Sequence, residues 1–451
     1  MRRFNLLLLV ASSVIWSVPA NAATRPHYGG TVRVAMHETP QSLDPLSLAQ
    51  VGVPNISRLL FDTLVVLDDR GFAQPALATS WQAEPGNQRW RFTLRSGVSF
   101  NDGANLEPTA VAASLRAANP DWKVLPVSDM IIVQTGEPHP NLPAELALPR
   151  NGIVHGNPQV SGTGPFAVSQ YVAGKHLSLV ANDQYWGGRP FVDSMEIDFG
   201  QTGRDQMTSL DLGRIDLAEV APENIRRARA EGHTVESSSP SELMALAFAM
   251  PPRNDEEIHL RNALALSIDM PAINNVVLQG GGEATGALLP NWLSGYGFLF
   301  ARVQNTEFAR TERTLGKQSG PLVLAYDSQD LVARTVAERV MLNARDAGIT
   351  VQLTTNGHGD MALTRVPLPS LNTQTALTGV ALALQLPMPS FGNGSANDLY
   401  SAEKTLLQSH RVIPLGYLRS GVALQPGIRN FNMSPDGAWQ MSNVWLGSDK
   451  P

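Results

Sequence analysis

The sequence predicts an α/β protein of more than one domain, and three observations carry that prediction. The chain has 451 residues, more than one ordinary hydrophobic core organises. Strict apolar/polar alternation recurs along it, at 31–36, 89–95 and 195–199, as half-buried strands require. Within 321–355 an apolar run, a helical apolar stripe and an alternating run follow one another, the pattern of two parallel strands joined by a right-handed helical crossover.

Composition narrows the class. Hydrophobic residues make up 43% and charged residues 16%, as in a soluble globular protein, and 38 glycines and 32 prolines suit many turns. The chain lacks cysteine, which excludes disulfides, thiolate metal sites and cysteine nucleophiles. Arg2 and Arg3, an apolar stretch over 6–18 and the small-x-small triplet Ala20-Asn21-Ala22 read as a signal peptide cleaved after Ala22. Its apolar stretch is shorter than the roughly 20 residues a membrane span needs. Net charge is −6, and losing two of 34 basic residues against 40 acidic ones leaves the mature chain near −8. Such a balance, with no basic run, carries no electrostatic footprint for nucleic acid.

In chain order, Val32, Val34 and Met36 alternate in a first strand; the segment ETPQSLDP follows at 38–45, then a helix over 53–61 and a turn at 68–71. Trp90, Phe92 and Leu94 form the apolar side of the next strand, and with Trp81 and Phe100 read mainly as core aromatics. Asn101-Asp102-Gly103 makes a tight turn, and Pro108 opens a helix. In the following SGTGPF, Gly162 and Gly164 read as residues supplying backbone angles closed to others, with Pro165 fixing the exit. Runs over 166–171 and 176–180 break at Ala173-Gly174 as a hairpin. Asn182, Tyr185, Trp186, Gly187, Gly188 and Pro190 separate it from the run over 195–199. A helix stopped at Gly213, an apolar buried strand over 241–249 and a helix over 258–278, ended by three glycines at 280–282, come next. Val332, Val336, Val340 and Ala344 mark the helix of the α/β unit, and a last helix carrying Glu403 and Leu407 leads into a strand at 410–415.

The ordered set GTGP-F, a hairpin, N-x-x-Y-W-G-G-x-P and a strand resembles the family 5 extracellular solute-binding proteins of ABC transporters, the peptide, nickel and oligosaccharide type. Leu43-Asp44-Pro45, the block over 75–115, RNALALSIDM at 261–270 and the segment after His410 extend the resemblance to about nine-tenths of the mature chain. It implies a two-lobed periplasmic-binding-protein-like fold (type II, the large three-subdomain form) with mixed sheets and a hinge. The domains expected are a signal peptide (1–22), the start of lobe I (23–74), a shortened small subdomain (75–160), lobe I continued (161–245), a shortened lobe II (246–410) and a return to lobe I (411–451).

The function implied is a periplasmic component of an ABC importer that captures a peptide-like or other small polar solute between its lobes and delivers it to an inner-membrane permease. The alternative is a sensor or chaperone-like binding protein of the same fold without a transport role. A monomer without cofactor or nucleic-acid partner is expected. Lacking cysteine, it is expected to be free in the periplasm, without the lipid anchor many relatives carry. The ligand-binding residues that the resemblance implies are His37, Glu38, Thr39 and Gln41 after the first strand, Ser161 and Thr163 near one lobe crossing, and Met250 at a second. Of these, Glu38 reads either as a partner for an ammonium group or as an exposed loop carboxylate. The aromatic-acid segment with which many peptide binders receive an amino terminus is missing from 356–400, where only Asp398 and Tyr400 remain.

Catalytic patterns are lacking. The nine histidines form no H-x-x-x-H or H-E-x-x-H, no G-x-S-x-G occurs, and the glycines at 280–282 lack the G-K-[ST] ending of a phosphate loop. His358-Gly359-Asp360 has no second histidine close by, so neither a catalytic residue nor a metal ligand is assigned.

Overall fold

A computed structural model describes residues 25–51, 54–156 and 160–447; the signal-peptide reading at 1–22 lies outside them. Two large mixed sheets dominate. The first runs, in spatial order, Thr234–Ser237, Gly421–Leu424, Leu217–Val220, Thr31–Ala35, Ser194–Asp198, His176–Ala181 and Phe166–Val172. Its central strand, Thr31–Ala35, is parallel to both neighbours. Val32 and Val34 face a core with Leu177, Met195 and Ile197, while Ala35 faces a second layer with Leu210, Ile215 and Ala218. Both faces are covered, as parallel strands require.

The second sheet runs Gly282–Glu283, Val412–Leu418, Glu242–Phe248, Met361–Pro367, Leu322–Ala325 and Val351–Thr354. Met244 and Leu246 pack on the helices Asp255–Ser267 and Leu331–Asp346, and Leu243 and Ala245 on the helix Thr373–Ala383. Glu242–Phe248 is thus apolar on both sides, which is why its sequence shows no alternation. Leu322–Ala325 and Val351–Thr354 pair in parallel, as the α/β unit predicts. A four-stranded antiparallel sheet (Ala78–Ala83, Arg89–Leu94, Met130–Gln134, Lys123–Val127) packs Trp90, Phe92 and Leu94 against Val111 and Leu115 of the helix Pro108–Ala118.

Some local expectations are corrected. The helix expected over 258–278 breaks after Ser267: Ile268 is extended (ψ 123°), and Asp269 caps a new turn by accepting from the Ala272 N–H at 2.9 Å. Pro271 forces the break, because a proline inside a helix removes a hydrogen bond and clashes with the preceding turn. The helix expected over 53–61 is present as Pro54–Leu60, and a further helix, Pro45–Val51, comes before it.

The chain passes between the sheets at 238–241 and at Arg419-Ser420, rather than near Ser161–Thr163 or after the strand ending at Phe248. Val412–Leu418 still belongs to the second sheet, and only Gly421–Leu424 rejoins the first. The two passages are laced together. Ser238 N donates to Ser420 O and Ser420 N to Ser238 Oγ, both at 3.0 Å; Ser241 N donates to Leu418 O at 2.8 Å.

The SGTGPF turn packs on the end of the helix Pro54–Leu60. Neither Gly162 nor Gly164 lies in the positive-φ region, so unusual backbone angles are not what glycine supplies here. Close approach is: a Cβ on Gly162 would fall 2.0 Å from Leu60 O, and one on Gly164 2.5 Å from Leu60 C. Next to this contact Asp62 gathers Thr163 Oγ1 (2.8 Å), Tyr185 OH (3.0 Å) and Trp186 Nε1 (2.7 Å), while the Arg95 guanidinium lies 4.5 Å over the Trp186 ring. Burial pushes the Asp62 carboxyl up to about 6 against these donors and Arg95. Tyr185 and Trp186 thus serve to tie the hairpin, the first helices and the small sheet to one carboxylate.

Asp62→Ala leaves three donors without their acceptor and is expected to cost about 3 kcal/mol. Gly162→Ala, which must displace a backbone carbonyl, should cost at least as much. Thermal unfolding of the purified variants checks both, and a midpoint equal to the parent's contradicts the tie.

Candidate functional site

The carboxyl ends of parallel strands, where α/β sheets place their ligand crevices, line the gap between the lobes. On the first sheet, the loop after Thr31–Ala35 carries His37, Glu38, Thr39 and Gln41, and the neighbouring strand ends at Val220, followed by Pro222 and Glu223. The loop is held from below: His37 N donates to Glu219 Oε2 at 2.9 Å, Gly200 N to Glu38 O at 3.4 Å, and Gln41 Nε2 to Thr39 O at 3.0 Å. Gln41 also lies against Gly174, so the hairpin turn supports the loop. Burial first, and the nearby charge of Glu38 second, raise the Glu219 carboxyl to about 7, against the His37 N–H and Gln206.

Glu223 faces the other lobe. Burial raises its pKa; Arg365 opposes the rise and Asp330 adds to it. Arg365 is already engaged, by Glu242 (2.5 Å) and Asp330 (3.0 Å). Glu223 Oε2 is sealed from solvent and meets no donor.

Farther along the gap lies a cavity of about 320 Å³ with walls from both lobes. Arg58, Asp62, Asp69, Asp436 and Trp439 line it from the first lobe, and Ser370 and Leu371 from the second. Arg58 Nη2 meets Asp436 Oδ2 at 3.0 Å. Burial works against the Asp436 charge, yet Arg58, the Ser434 hydroxyl and the Ala438 N–H hold its carboxyl below the ordinary value. The lobes touch here. Gly71 (φ +78°) lies so close to the backbone of Leu371 that a Cβ would fall 2.2 Å from its carbonyl oxygen.

The sequence-predicted residues divide into groups. His37, Thr39 and Gln41 are exposed on the cleft-edge loop, with Glu38 half-buried beside Glu219. Thr163 is 1% exposed and bonded to Asp62, behind the cavity wall. Ser161 accepts from Asp102 N at 3.0 Å in the turn toward the small sheet. Met250 is 68% exposed at the end of the second sheet away from the crossings. Asp398 is occupied in a capping box with Ser395, and Tyr400 faces Phe300 outside the cleft. Sequence reasoning missed Glu219, Glu223 and the Arg58–Asp436 pair. An acid at the carboxyl end of a parallel strand is a usable signal for Glu219; no local pattern joins Arg58 to a partner 378 residues away.

Residues 73–366 match the family described as bacterial extracellular solute-binding proteins, family 5 middle. Among individual relatives, the probable D,D-dipeptide-binding periplasmic protein DdpA of Escherichia coli is 23% identical over 70% of this chain and 68% of its own. The uncharacterized protein YhjP of Bacillus subtilis is 32% identical over 36% of this chain, a match spanning only 31% of that relative's length. The crystal structure of a dipeptide-binding protein from Pseudoalteromonas sp. SM9913 in complex with Met-Leu superposes with a TM-score of 0.78 at 16% identity, covering 92% of this chain and 100% of that one. That likeness establishes the two-lobed binding-protein fold.

The raised Glu219 carboxyl has a consequence for stability. A carboxyl whose folded pKa exceeds its ordinary 4.5 costs the folded state once it ionises, so its contribution falls as pH climbs from about 4.5 to about 7 and is level above. Glu219→Gln should flatten that part of the stability-versus-pH curve relative to the parent, as read by denaturant unfolding at several pH values. Arg58→Gln should raise the pKa of Asp436 in a carbon-13 NMR titration of the side-chain carboxyls; an unmoved resonance means that Arg58 does not hold it down.

Proposed function

Because the chain belongs to the bacterial extracellular solute-binding proteins of family 5, we propose that it is the periplasmic capture component of an ABC importer. It takes a small polar or peptide-like solute into the gap between its lobes and presents the closed form to an inner-membrane permease. It acts as a monomer and makes or breaks no bond. A signal peptide ending at Ala22 delivers it unlipidated to the periplasm. The observation that carries this reading is the cavity walled by both lobes at their point of contact, in the same gap that the carboxylate-bearing strand ends face. Hinged lobes that meet over a solute exclude water and strengthen each polar contact made inside.

Charge narrows the solute. Glu38, Glu219 and Glu223 gather on the first lobe's edge, and two guanidiniums at the gap, Arg58 and Arg365, are already paired with carboxylates. A solute with a cationic end, such as a peptide ammonium, relieves that surplus, with His37, Glu38, Thr39 and Gln41 around it. Ser161 and Thr163 act by holding the wall in place, and Met250 lies apart from this contact set.

Calorimetric and thermal-shift titration with peptides, sugars and metal chelates tests the proposal: at least one class should stabilise the protein, and none doing so contradicts it. For a cationic solute, affinity should rise as pH increases toward about 7 and level off above it, since Glu219 must lose its proton to pair. Glu219→Gln should weaken binding by about tenfold and remove that pH dependence.

A further inference from the structure

A second cavity, about 420 Å³ in volume, lies wholly within the second lobe. Its walls come from 261–265, 286, 299–302 and 400–414, with no residue of the first lobe. It sits beside Val412 and Pro414 at the start of the strand Val412–Leu418, whereas the crossing to the first lobe follows the end of that strand, about 20 Å away. The edge strand Gly282–Glu283 pairs only with Leu418 and Tyr417, so the first half of the long strand lacks a neighbour on that side, and the cavity occupies the space.

Its chemistry is one-sided. Arg261, Arg302, Lys404 and His410 line it, and no aspartate or glutamate does. Arg261 is spoken for: it donates to His410 O and Met250 O and lies 4.1 Å over the Phe248 ring. Arg302 is different. Its Nη2 donates to Pro414 O at 2.9 Å, but its Nε is sealed from solvent with no acceptor, and no carboxylate forms an ion pair with it among the described residues. Burial alone, with no opposing anion, pulls its pKa down to about 10, so it stays charged at neutral pH. Phe300 and Tyr400 also line it, stacked at 5.1 Å and 22°, with Lys404 Nζ 6.0 Å over the Tyr400 ring, and Leu299, 55% exposed, lines it too.

We propose that this cavity is a second ligand site, separate from the interlobe cleft, for a small organic anion whose carboxylate meets Arg302 and Lys404 and whose flat or apolar body lies on Phe300, Tyr400 and Leu299. An unpaired guanidinium whose Nε is sealed from solvent, in the wall of an open pocket, lacks the anion that buried charges ordinarily have. The aromatic wall selects an anion with an apolar body over a bare inorganic one.

Benzoate is a suitable probe, with neutral benzamide as its control, titrated calorimetrically into the full mature chain. Benzoate should bind saturably and benzamide about tenfold more weakly or not at all. Arg302→Gln should weaken benzoate about tenfold and Lys404→Gln about threefold, while Arg58→Gln in the cleft leaves it unchanged. Lys404 is exposed, so its variant tests the site even where Arg302→Gln does not fold, and Tyr400→Leu should likewise weaken benzoate while sparing any solute held in the cleft. No saturable benzoate binding, equal binding of benzamide, indifference to Lys404→Gln and Tyr400→Leu, or loss on Arg58→Gln each overturns the proposal.

Discussion

The chain joins its two lobes through two short passages, and these are bonded to each other. Ser238 exchanges hydrogen bonds with Ser420, and Ser241 N reaches Leu418 O. Arg419 adds donors to Ser238 O and, through its backbone N–H, to Gly281 O. A connection this short leaves few ways for the sheets to face each other. It sets Glu242 and Arg365 of one lobe across from Glu223 of the other, and it puts the carboxyl ends of the parallel strands at the gap. Gly281 is part of the same constraint, because a Cβ there would fall 2.1 Å from Pro222 O on the first lobe. The glycine run that ends a helix in sequence is, in three dimensions, a point of contact between lobes.

Much of the architecture was legible because its causes are local. The alternation of Trp90, Phe92 and Leu94 and the stripe of Val336, Val340 and Ala344 report which face is buried, and burial follows them. Thr163, Tyr185 and Trp186, which carry the family resemblance, converge on Asp62, but a lone aspartate after a helix has no sequence signature of its own. The glycines of SGTGPF were recognised and their purpose misassigned. Torsional freedom and close approach select the same residue, and only the position of Leu60 tells them apart. The crossing near 420 is marked in sequence only by Arg419-Ser420 between two apolar strands, which reads as an ordinary turn within one sheet. In the candidate site, the loop at 37–41 was readable from its place after the first strand. Partners such as Arg58 and Asp436 depend on the whole fold and have no sequence trace.

The two cavities carry opposite surpluses of charge. At the cleft, carboxylates outnumber unpaired cations, and Glu219 stays partly protonated near neutral pH because it is buried and, to a lesser degree, because a second acid stands beside it. In the second lobe the surplus is positive, and the cation least well matched is also the one least exposed to water. A protein of net charge −6 gains nothing in solubility from one recessed positive pocket. Retaining an uncompensated charge beside apolar walls lowers stability unless something compensates for it. The same reasoning applies to Glu223, whose oxygen without a donor faces an arginine already shared by two acids.

Those unsatisfied groups differ in where relief can come from. Glu223 sits between the two lobes, so a change in their approach would alter its distance to Arg365, which Glu242 and Asp330 already share. Arg302 has no such freedom. Its neighbours, Pro414 on the sheet and Gly286 in the adjoining loop, belong to the same lobe and move with it; a Cβ on Gly286 would fall 2.1 Å from Phe300 O, so the wall cannot shift to bring an acid nearer. A change in lobe approach would therefore alter the electrostatics of the cleft, whereas the pocket in the second lobe is neutralised only by something that enters it.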